Sequence, residues 1–253
     1  METMSIIANL RCALAGLLVL MAAPVLAAET QVAVAANFTE PAKEIAAAFE
    51  RRTGHRANLA FGASGAIYTQ ISHGAPFELF LSADADRPAQ AEKDGLAVAG
   101  SRFTYAVGQL VLWSSTPGLA EAGPSVLRQA RFDRIAIADP ATAPYGAAAI
   151  DTMRRLRVYD RLRPKIVTGS SIAQTWQFAS TGAAQLGFVA LSQVVAVRGG
   201  SRWLVPARLH APIAQQAVLL RSGAGNPAAI AFLRFLRSPA AVAIIRRYGY
   251  AQR

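Results

Sequence analysis

Cysteine is almost absent from this sequence of 253 residues, and the single one, Cys12, lies in an apolar N-terminal run. One cysteine forms no intramolecular disulfide and no thiolate cluster for a metal. Histidine is also rare: His55, His73 and His210 are the only three, and none has a partner at a metal-binding interval. The sequence has no Walker loop, no Gly-x-Gly-x-x-Gly and no Gly-x-Ser-x-Gly. These absences argue against a disulfide scaffold, a thiolate metal site and the common nucleotide-binding loops.

Charged residues are sparse, at 16%, but the two signs are unequal, with 26 Lys and Arg against 15 Asp and Glu and a net charge of +11. Such a basic balance can indicate nucleic acid or a membrane surface as the partner. The basic residues are scattered, however, and no aromatic residues alternate with them to stack on bases. We therefore expect a solvated surface that attracts anions weakly, and no nucleic-acid partner.

The apolar run at residues 13–26 follows Arg11 and ends in small residues. This pattern predicts a secretory signal peptide over residues 1–27, cleaved after Ala27. The alternative is an uncleaved membrane anchor, but the run is shorter than the ~20 residues that span a bilayer. We expect an exported, soluble protein that relies on its hydrophobic core, since 53% of its residues are hydrophobic.

Beyond this leader, strand and helix patterns alternate, which is typical of an α/β fold with mostly parallel sheets. The predicted strands are residues 31–35, 56–60, 79–82, 135–138, 165–168, 186–189 and 203–206. The predicted helices are residues 42–52, 66–73, 87–94, 146–156, 172–180, 227–236 and 239–248. Two other apolar runs, 107–114 and 213–220, have no such helix partner, and we predict that they are crossover strands between two lobes. The predicted division is 28–106 with 214–253 for lobe 1, and 107–213 for lobe 2.

Four predicted strand-to-helix junctions carry uncharged hydrogen-bonding groups. They are residues 36–39, 62–65, 139–146 and 169–173. Taken singly, each reads as a helix cap. Together they predict a site, because parallel α/β sheets place ligands at the carboxyl ends of their strands, and two junctions come from each lobe. Helix N-termini with free N–H groups hold an anion without Lys or Arg, so we predict a fully oxygenated anion as the ligand.

Other interpretations stay open at this point. Ser64 with one of the histidines would make a secreted serine hydrolase. Asp84 and Asp86 would suit a metal-binding pair, or the cap of a helix that begins at Arg87, and we favour the cap.

Five segments resemble the periplasmic molybdate-binding proteins of ABC transporters. They are residues 35–45, 61–65, 74–84, 187–193 and 247–250, of which the block Gly-Ala-Pro-Phe-Glu-Leu-Phe-Leu-Ser-Ala-Asp at 74–84 is the most specific. The resemblance implies a type II-like periplasmic binding protein fold, with two α/β lobes joined by two crossover strands. It also implies a non-enzymatic, cofactor-free and monomeric receptor in the periplasm, which closes on molybdate or tungstate and docks on a membrane permease.

The resemblance also implies which residues touch the ligand. Asn37 stands at the position of the first-loop donor, and Ser64 matches a serine that gives hydroxyl and amide. Tyr145 and Ile172 match residues whose backbone N–H groups point at the oxyanion. Ala190 departs from the family, because some members have a tyrosine there whose hydroxyl completes the shell. Either the Tyr145 hydroxyl replaces it or the shell is smaller. A receptor for a smaller oxyanion such as sulfate remains the alternative within this class.

Overall fold

The computed structural model describes residues 27–251. The predicted leader lies outside the described residues except for Ala27, and so does Cys12. Within the described part, no single helix is long and apolar enough to cross a membrane. The helix pair Pro227–Phe235 and Pro239–Arg247 reaches the required length only jointly, across a bend of 59°.

Within residues 27–251, ten strands form two five-stranded sheets. They are β1 (Glu29–Ala35), β2 (Arg56–Gly62), β3 (Leu79–Leu81), β4 (Phe103–Gly108), β5 (Leu110–Ser114), β6 (Ile135–Ala138), β7 (Ile166–Gly169), β8 (Leu186–Ala190), β9 (Ser201–Leu204) and β10 (Ile213–Leu219). The first sheet has the order β2-β1-β3-β10-β4 and the second the order β7-β6-β8-β5-β9.

The described residues also form ten α-helices, of which the last two follow β10. They are α1 (Thr39–Thr53), α2 (Ser64–Ser72), α3 (Asp86–Lys93), α4 (Pro124–Gln129), α5 (Pro144–Arg155), α6 (Tyr159–Leu162), α7 (Ile172–Ser180), α8 (Leu191–Val194), α9 (Pro227–Phe235) and α10 (Pro239–Arg247). The α/β class predicted from the sequence is therefore confirmed.

The two sheets repeat one arrangement. In the first, β1 pairs in parallel with β2 and β3, and β10 is antiparallel to β3 and β4. In the second, β6 pairs in parallel with β7 and β8, and β5 is antiparallel to β8 and β9. Hence β1 corresponds to β6 and β2 to β7. The carboxyl ends of these four strands carry the four predicted junctions.

Strand β1 is buried on both faces. Val32 and Val34 pack in one cluster with α1, α9 and α10, whereas Ala33 packs on the opposite side with Ile67 of α2. Helices on both faces are the usual cover of parallel strands, and they oblige the connecting loops to meet at the strand ends. The core therefore sets the position of the junctions.

The crossover predictions are partly wrong. Segment 107–114 is not one strand, because it divides at Gln109 into the end of β4 in the first sheet and β5 in the second. Strand β10 lies wholly in the first sheet, so the chain returns along residues 205–212. Val107, Gly108 and Ile213, which the sequence assigned to lobe 2, thus belong to strands of the first sheet. A single pattern of apolar residues does not show where a strand changes partner sheet.

Most predicted elements are present with shifted ends. Helix α1 begins at Thr39 instead of 42, because a 3₁₀ turn at Ala36–Phe38 leads into it and Pro41 falls in the first turn, where its missing N–H is not needed. The first residues of β4 and the short helices α4, α6 and α8 were not predicted from the sequence.

Candidate functional site

All four predicted ligand residues line one cavity between the two sheets. Asn37, Ser64, Tyr145 and Ile172 surround a narrow cavity of about 10 Å³, and the other walls are alanine, glycine and proline. No charged side chain of residues 27–251 lines it. Asn37 and Tyr145 follow the corresponding strands β1 and β6, and Ser64 and Ile172 follow β2 and β7, so each sheet contributes a matching pair.

Ser64 is the first residue of α2 and is only 1% exposed. Its Oγ accepts a hydrogen bond of 2.9 Å from the Ala83 backbone N–H and makes no capping bond to its own helix. A hydroxyl has one proton to donate, and this arrangement leaves that proton for the cavity. Ser64 can therefore offer a hydroxyl beside the positive end of a helix.

Asn37 lies in the 3₁₀ turn after β1 and is 3% exposed. Its neighbour Phe38 is fully buried and packs edge-on against Tyr105 and Tyr250, at ring-centroid distances of 4.9 and 5.3 Å. The Asn37 carbonyl oxygen accepts a hydrogen bond of 2.8 Å from Ser192 Oγ of α8. The turn is thus held by both sheets, and Asn37 does not act as a helix cap.

Tyr145 and Ile172 lie in the first turns of α5 and α7, and both are buried. Helix α5 begins with Pro144, and the N–H groups of Gly146 and Ala147 bond to the Ala143 carbonyl. The N–H groups that precede the first such bond have no acceptor within the helix, which is why they suit an anion. Of the four junctions, only the one before Ile172 has a side-chain cap, in which Ser171 Oγ accepts a hydrogen bond of 3.3 Å from the Gln174 N–H.

The Tyr145 hydroxyl faces the junction between the sheets. It accepts a hydrogen bond of 3.1 Å from Gln215 Nε2, and a Cβ atom added to Gly108 would lie only 2.2 Å from it. Burial raises the pKa of Tyr145 well above its ordinary value, so the hydroxyl stays protonated. Ala190 is fully buried at the end of β8 and does not line the cavity.

The second and third junctions touch each other across the two sheets. The Gly65 N–H donates to the Thr142 carbonyl at 2.9 Å, and Arg87 Nη2 donates to the Ala141 carbonyl at 2.9 Å. Ala63 of the first sheet also belongs to the same buried cluster as Tyr145. The structure is therefore a closed arrangement in which the loops of one sheet rest on those of the other.

The other candidate residues do not form sites. Asp84 accepts from the Arg87 N–H at 3.0 Å and pairs with its guanidinium, so it occupies a first-turn N–H as the capping interpretation requires, although the helix begins at Asp86 instead of Arg87. No group of three metal-ligating side chains occurs in residues 27–251. A larger cavity of about 460 Å³ is lined by Asp84, Asp86 and Asp151 together with Arg87, so its net negative charge disfavours anions.

The three histidines make local hydrogen bonds away from Ser64. His55 Nδ1 accepts from the Ala28 N–H at 3.1 Å. His73 Nδ1 lies 2.7 Å from the Thr69 carbonyl, and His210 Nδ1 is equally close to that of Ala211. None of the three lines the cavity, so Ser64 has no histidine base beside it.

The comparison with known proteins agrees with this geometry. A family model described as bacterial extracellular solute-binding protein matches residues 30–251. The chain belongs to this family. It is 57% identical over 230 residues to the molybdate-binding protein ModA of Rhodobacter capsulatus, covering 91% of each chain. It is 52% identical over 234 residues to ModA of Azotobacter vinelandii, covering 91% of this chain and 93% of that protein.

A solved structure supports the same assignment. The Azotobacter vinelandii periplasmic molybdate-binding protein aligns with a TM-score of 0.84 and 40% identity, over 88% of this chain and 99% of that one. The resemblance found in the sequence is therefore confirmed, and so is the periplasmic binding protein fold. The relatives are named as molybdate-binding proteins, which leaves the hydrolase interpretation of Ser64 without support.

Sequence reasoning missed a set of buried polar residues behind the cavity, namely Tyr105, Ser192, Gln215 and Tyr250. Gln215 had the clearest signal, because it is a glutamine inside the apolar run of β10. Ser192 and Tyr250 lie in two of the segments that resemble the family, but nothing in the sequence connects their hydroxyl groups or that of Tyr105 with the site, since these groups meet only after both sheets have formed.

Proposed function

We propose that this protein is the periplasmic receptor of a molybdate ABC transporter, which captures molybdate, or tungstate, and delivers it to the membrane permease. The ligand is cargo and not a cofactor, and no bond is made or broken. The observation that carries the proposal is the uncharged cavity lined by Asn37, Ser64, Tyr145 and Ile172, which are contributed in matching pairs by the two sheets. Both ModA relatives are named for molybdate, and they do not favour the sulfate alternative.

The proposed chemistry is the solvation of a dianion by neutral donors. The Ser64 hydroxyl and the first-turn N–H groups of the helices around the cavity would each donate to an oxyanion oxygen. Hydrogen bonds to charged groups contribute roughly 1.5–3 kcal/mol each. Five or more such bonds reach micromolar to nanomolar affinity after an association cost of ~4–15 kcal/mol.

Release requires the two lobes to separate. Because the donors are divided between the sheets, opening the cleft removes half of them at once, and no fixed cation holds the anion back. We propose that the division near Gln109 and residues 205–212 allows this movement. We also propose that the protein is exported by the leader at residues 1–27, acts as a monomer and binds no nucleic acid.

A thermal shift screen over molybdate, tungstate, sulfate and phosphate tests the proposal, because a ligand that binds only the folded form raises the melting temperature. We expect molybdate and tungstate to give the largest shifts, and calorimetry to give one site per chain. A larger shift with sulfate would favour the smaller-oxyanion receptor. The absence of a shift with every oxyanion would refute the proposal.

A further inference from the structure

Gln215 is a polar residue in a core position. In β10 it is fully buried and shares its face with the buried residues Ile213 and Ala217, between strands β3 and β4. A buried amide without partners is costly, so its presence on this face requires hydrogen bonds that only this side chain can make.

The Gln215 side chain connects the two halves of the candidate site. Its Oε1 accepts from Asn37 Nδ2 at 2.9 Å and from the Tyr105 hydroxyl at 3.0 Å, and its Nε2 donates to the Tyr145 hydroxyl at 3.1 Å. One amide therefore bonds to a cavity residue of the first sheet and to one of the second. Gly108 makes room for this contact, since a Cβ there would lie 2.7 Å from Gln215 Nε2.

The Asn37 amide is oriented by this contact. Its Nδ2 donates to Gln215 and, at 3.0 Å, to the Tyr250 hydroxyl, so both of its N–H groups are used. Its Oδ1 is buried and has no hydrogen-bond partner among the described residues. Asn37 lines the cavity, and the one side-chain atom that it leaves without a partner is an acceptor, which is the wrong polarity for an oxyanion.

If the side-chain amides of Asn37 and Gln215 both rotate by about 180°, so that oxygen and nitrogen exchange places, that polarity is reversed and no partner has to move. Gln215 Nε2 would then donate to Asn37 Oδ1 and to the Tyr105 hydroxyl, which in turn donates to the Ser82 carbonyl, 3.2 Å away. The Tyr145 hydroxyl would donate to Gln215 Oε1.

The Tyr250 hydroxyl, which now accepts from Asn37 Nδ2 and lies 2.8 Å from the Asn37 carbonyl, would turn its proton to Asn37 Oδ1, while Ser192 Oγ still donates to that carbonyl. Every group then keeps a hydrogen bond, and the group of Asn37 left free is Nδ2, a donor that an anion satisfies.

We propose that Gln215 is a positioning residue of the oxyanion site, which selects the end of the Asn37 amide that faces the cavity and turns together with it when the anion binds. This inference rests on the proposed function. Gln215 lies outside the cavity wall, yet it controls a donor in that wall, the Asn37 amide, and it links this amide to Tyr145 on the opposite sheet.

The test is the calorimetric affinity for molybdate of Gln215→Met, which keeps the side-chain volume and removes both polar ends. The matched control is Gln216→Met, the same change at the next residue of β10, whose side chain lies on the other face and bonds to Arg102 and Thr104. We expect Gln215→Met to bind molybdate about tenfold to a hundredfold more weakly, as expected when a hydrogen bond to a charged group is lost. Gln216→Met should bind like the wild type.

A double-mutant cycle separates positioning from a general structural effect. If Gln215 acts through Asn37, then Gln215→Met should weaken binding little further in an Asn37→Ala background, because interacting residues are not additive. Equal losses in both backgrounds, or unchanged affinity of the single variant, would overturn the inference. If Gln215→Met does not fold, Gln215→Asn, which is shorter by one methylene and cannot reach both partners, is carried through the same cycle. Wild-type protein that fails to bind molybdate would refute the proposed function itself, which is a separate result.

Discussion

The contact between Gly65 and Thr142 allows a test of whether closure of the two lobes supplies affinity. Gly65 is the second residue of α2, and a Cβ atom there would lie 2.9 Å from the Thr142 Cα and 2.9 Å from Arg87 Nη2. The Arg87 side chain can move aside, but the Thr142 backbone cannot move without its loop. Gly65→Ala should therefore hold the second and third junctions apart.

The magnitude follows from the geometry. Ordinary contacts of a Cβ begin near 3.4 Å, so the loops must separate by about half an ångström. Overpacking of this kind costs typically 1–3 kcal/mol, equivalent to about a 5- to 150-fold loss of affinity if it applies only to the closed form. In the open form the same change replaces glycine by alanine in a helix, which stabilises the fold by roughly 0.5–1 kcal/mol.

The expected result is therefore a split between two measurements. Calorimetry should show weaker molybdate binding, while thermal unfolding without ligand should show unchanged or higher stability. Gly225→Ala is the matched control, because nothing lies within 4 Å of its added Cβ, and it should leave affinity unchanged. Unaltered affinity of Gly65→Ala, or a loss of unliganded stability as large as the loss of binding energy, would refute the role given to closure.

Three further outcomes are expected. Ser64→Ala should weaken molybdate binding by about tenfold to a hundredfold, because a hydrogen bond to a charged ligand is lost. It should also lower the free energy of unfolding, because the buried Ala83 N–H loses its acceptor. Ester hydrolysis assays should detect no turnover in either the wild type or the variant. Asn37→Asp should abolish the molybdate-induced thermal shift, because it places a carboxylate in an uncharged cavity. Circular dichroism should show that the fold is retained, and a thermal shift that persists would contradict our assignment. Burial raises the pKa of Tyr105, Tyr145 and Tyr250, so the folded state keeps protons that the unfolded state loses above pH ~10. The free energy of unfolding, measured by denaturant titration, should thus not depend on these tyrosines below pH ~10. Above that pH it should fall, by up to about 4 kcal/mol per pH unit for the three together. A free energy of unfolding that stays constant as the pH rises above ~10 would contradict this.

The local parts of the fold were predictable because they depend on neighbours in sequence. The pattern at residues 135–138 gave strand β6 with its observed ends, and that at 172–180 gave helix α7. Apolar periodicity and helix-start residues act over a few positions, so they can be read without the rest of the chain. The same patterns do not report partner choice, which is why residues 107–114 were assigned to one strand instead of two.

That the four candidate residues share one cavity was predictable from the sequence, but their contacts behind it were not. The family resemblance named Asn37, Ser64, Tyr145 and Ile172, and these do line one cavity. It did not show that the Tyr145 hydroxyl bonds to Gln215, which is 70 residues away along the chain. Hydrogen bonds at that separation depend on how the sheets pack, and no interval in the sequence encodes them.

The amino-acid sequence by itself determined the α/β class, the four neutral junctions and the kinship with molybdate-binding proteins, because each is written in short runs of adjacent residues. Only the tertiary structure decided that the junctions meet in matching pairs around an uncharged cavity, and that a buried glutamine orients one of its walls. The physical reason is that strand pairing and buried polar contacts bring together groups far apart in the chain, and their orientation is determined only when every buried donor and acceptor must find a partner.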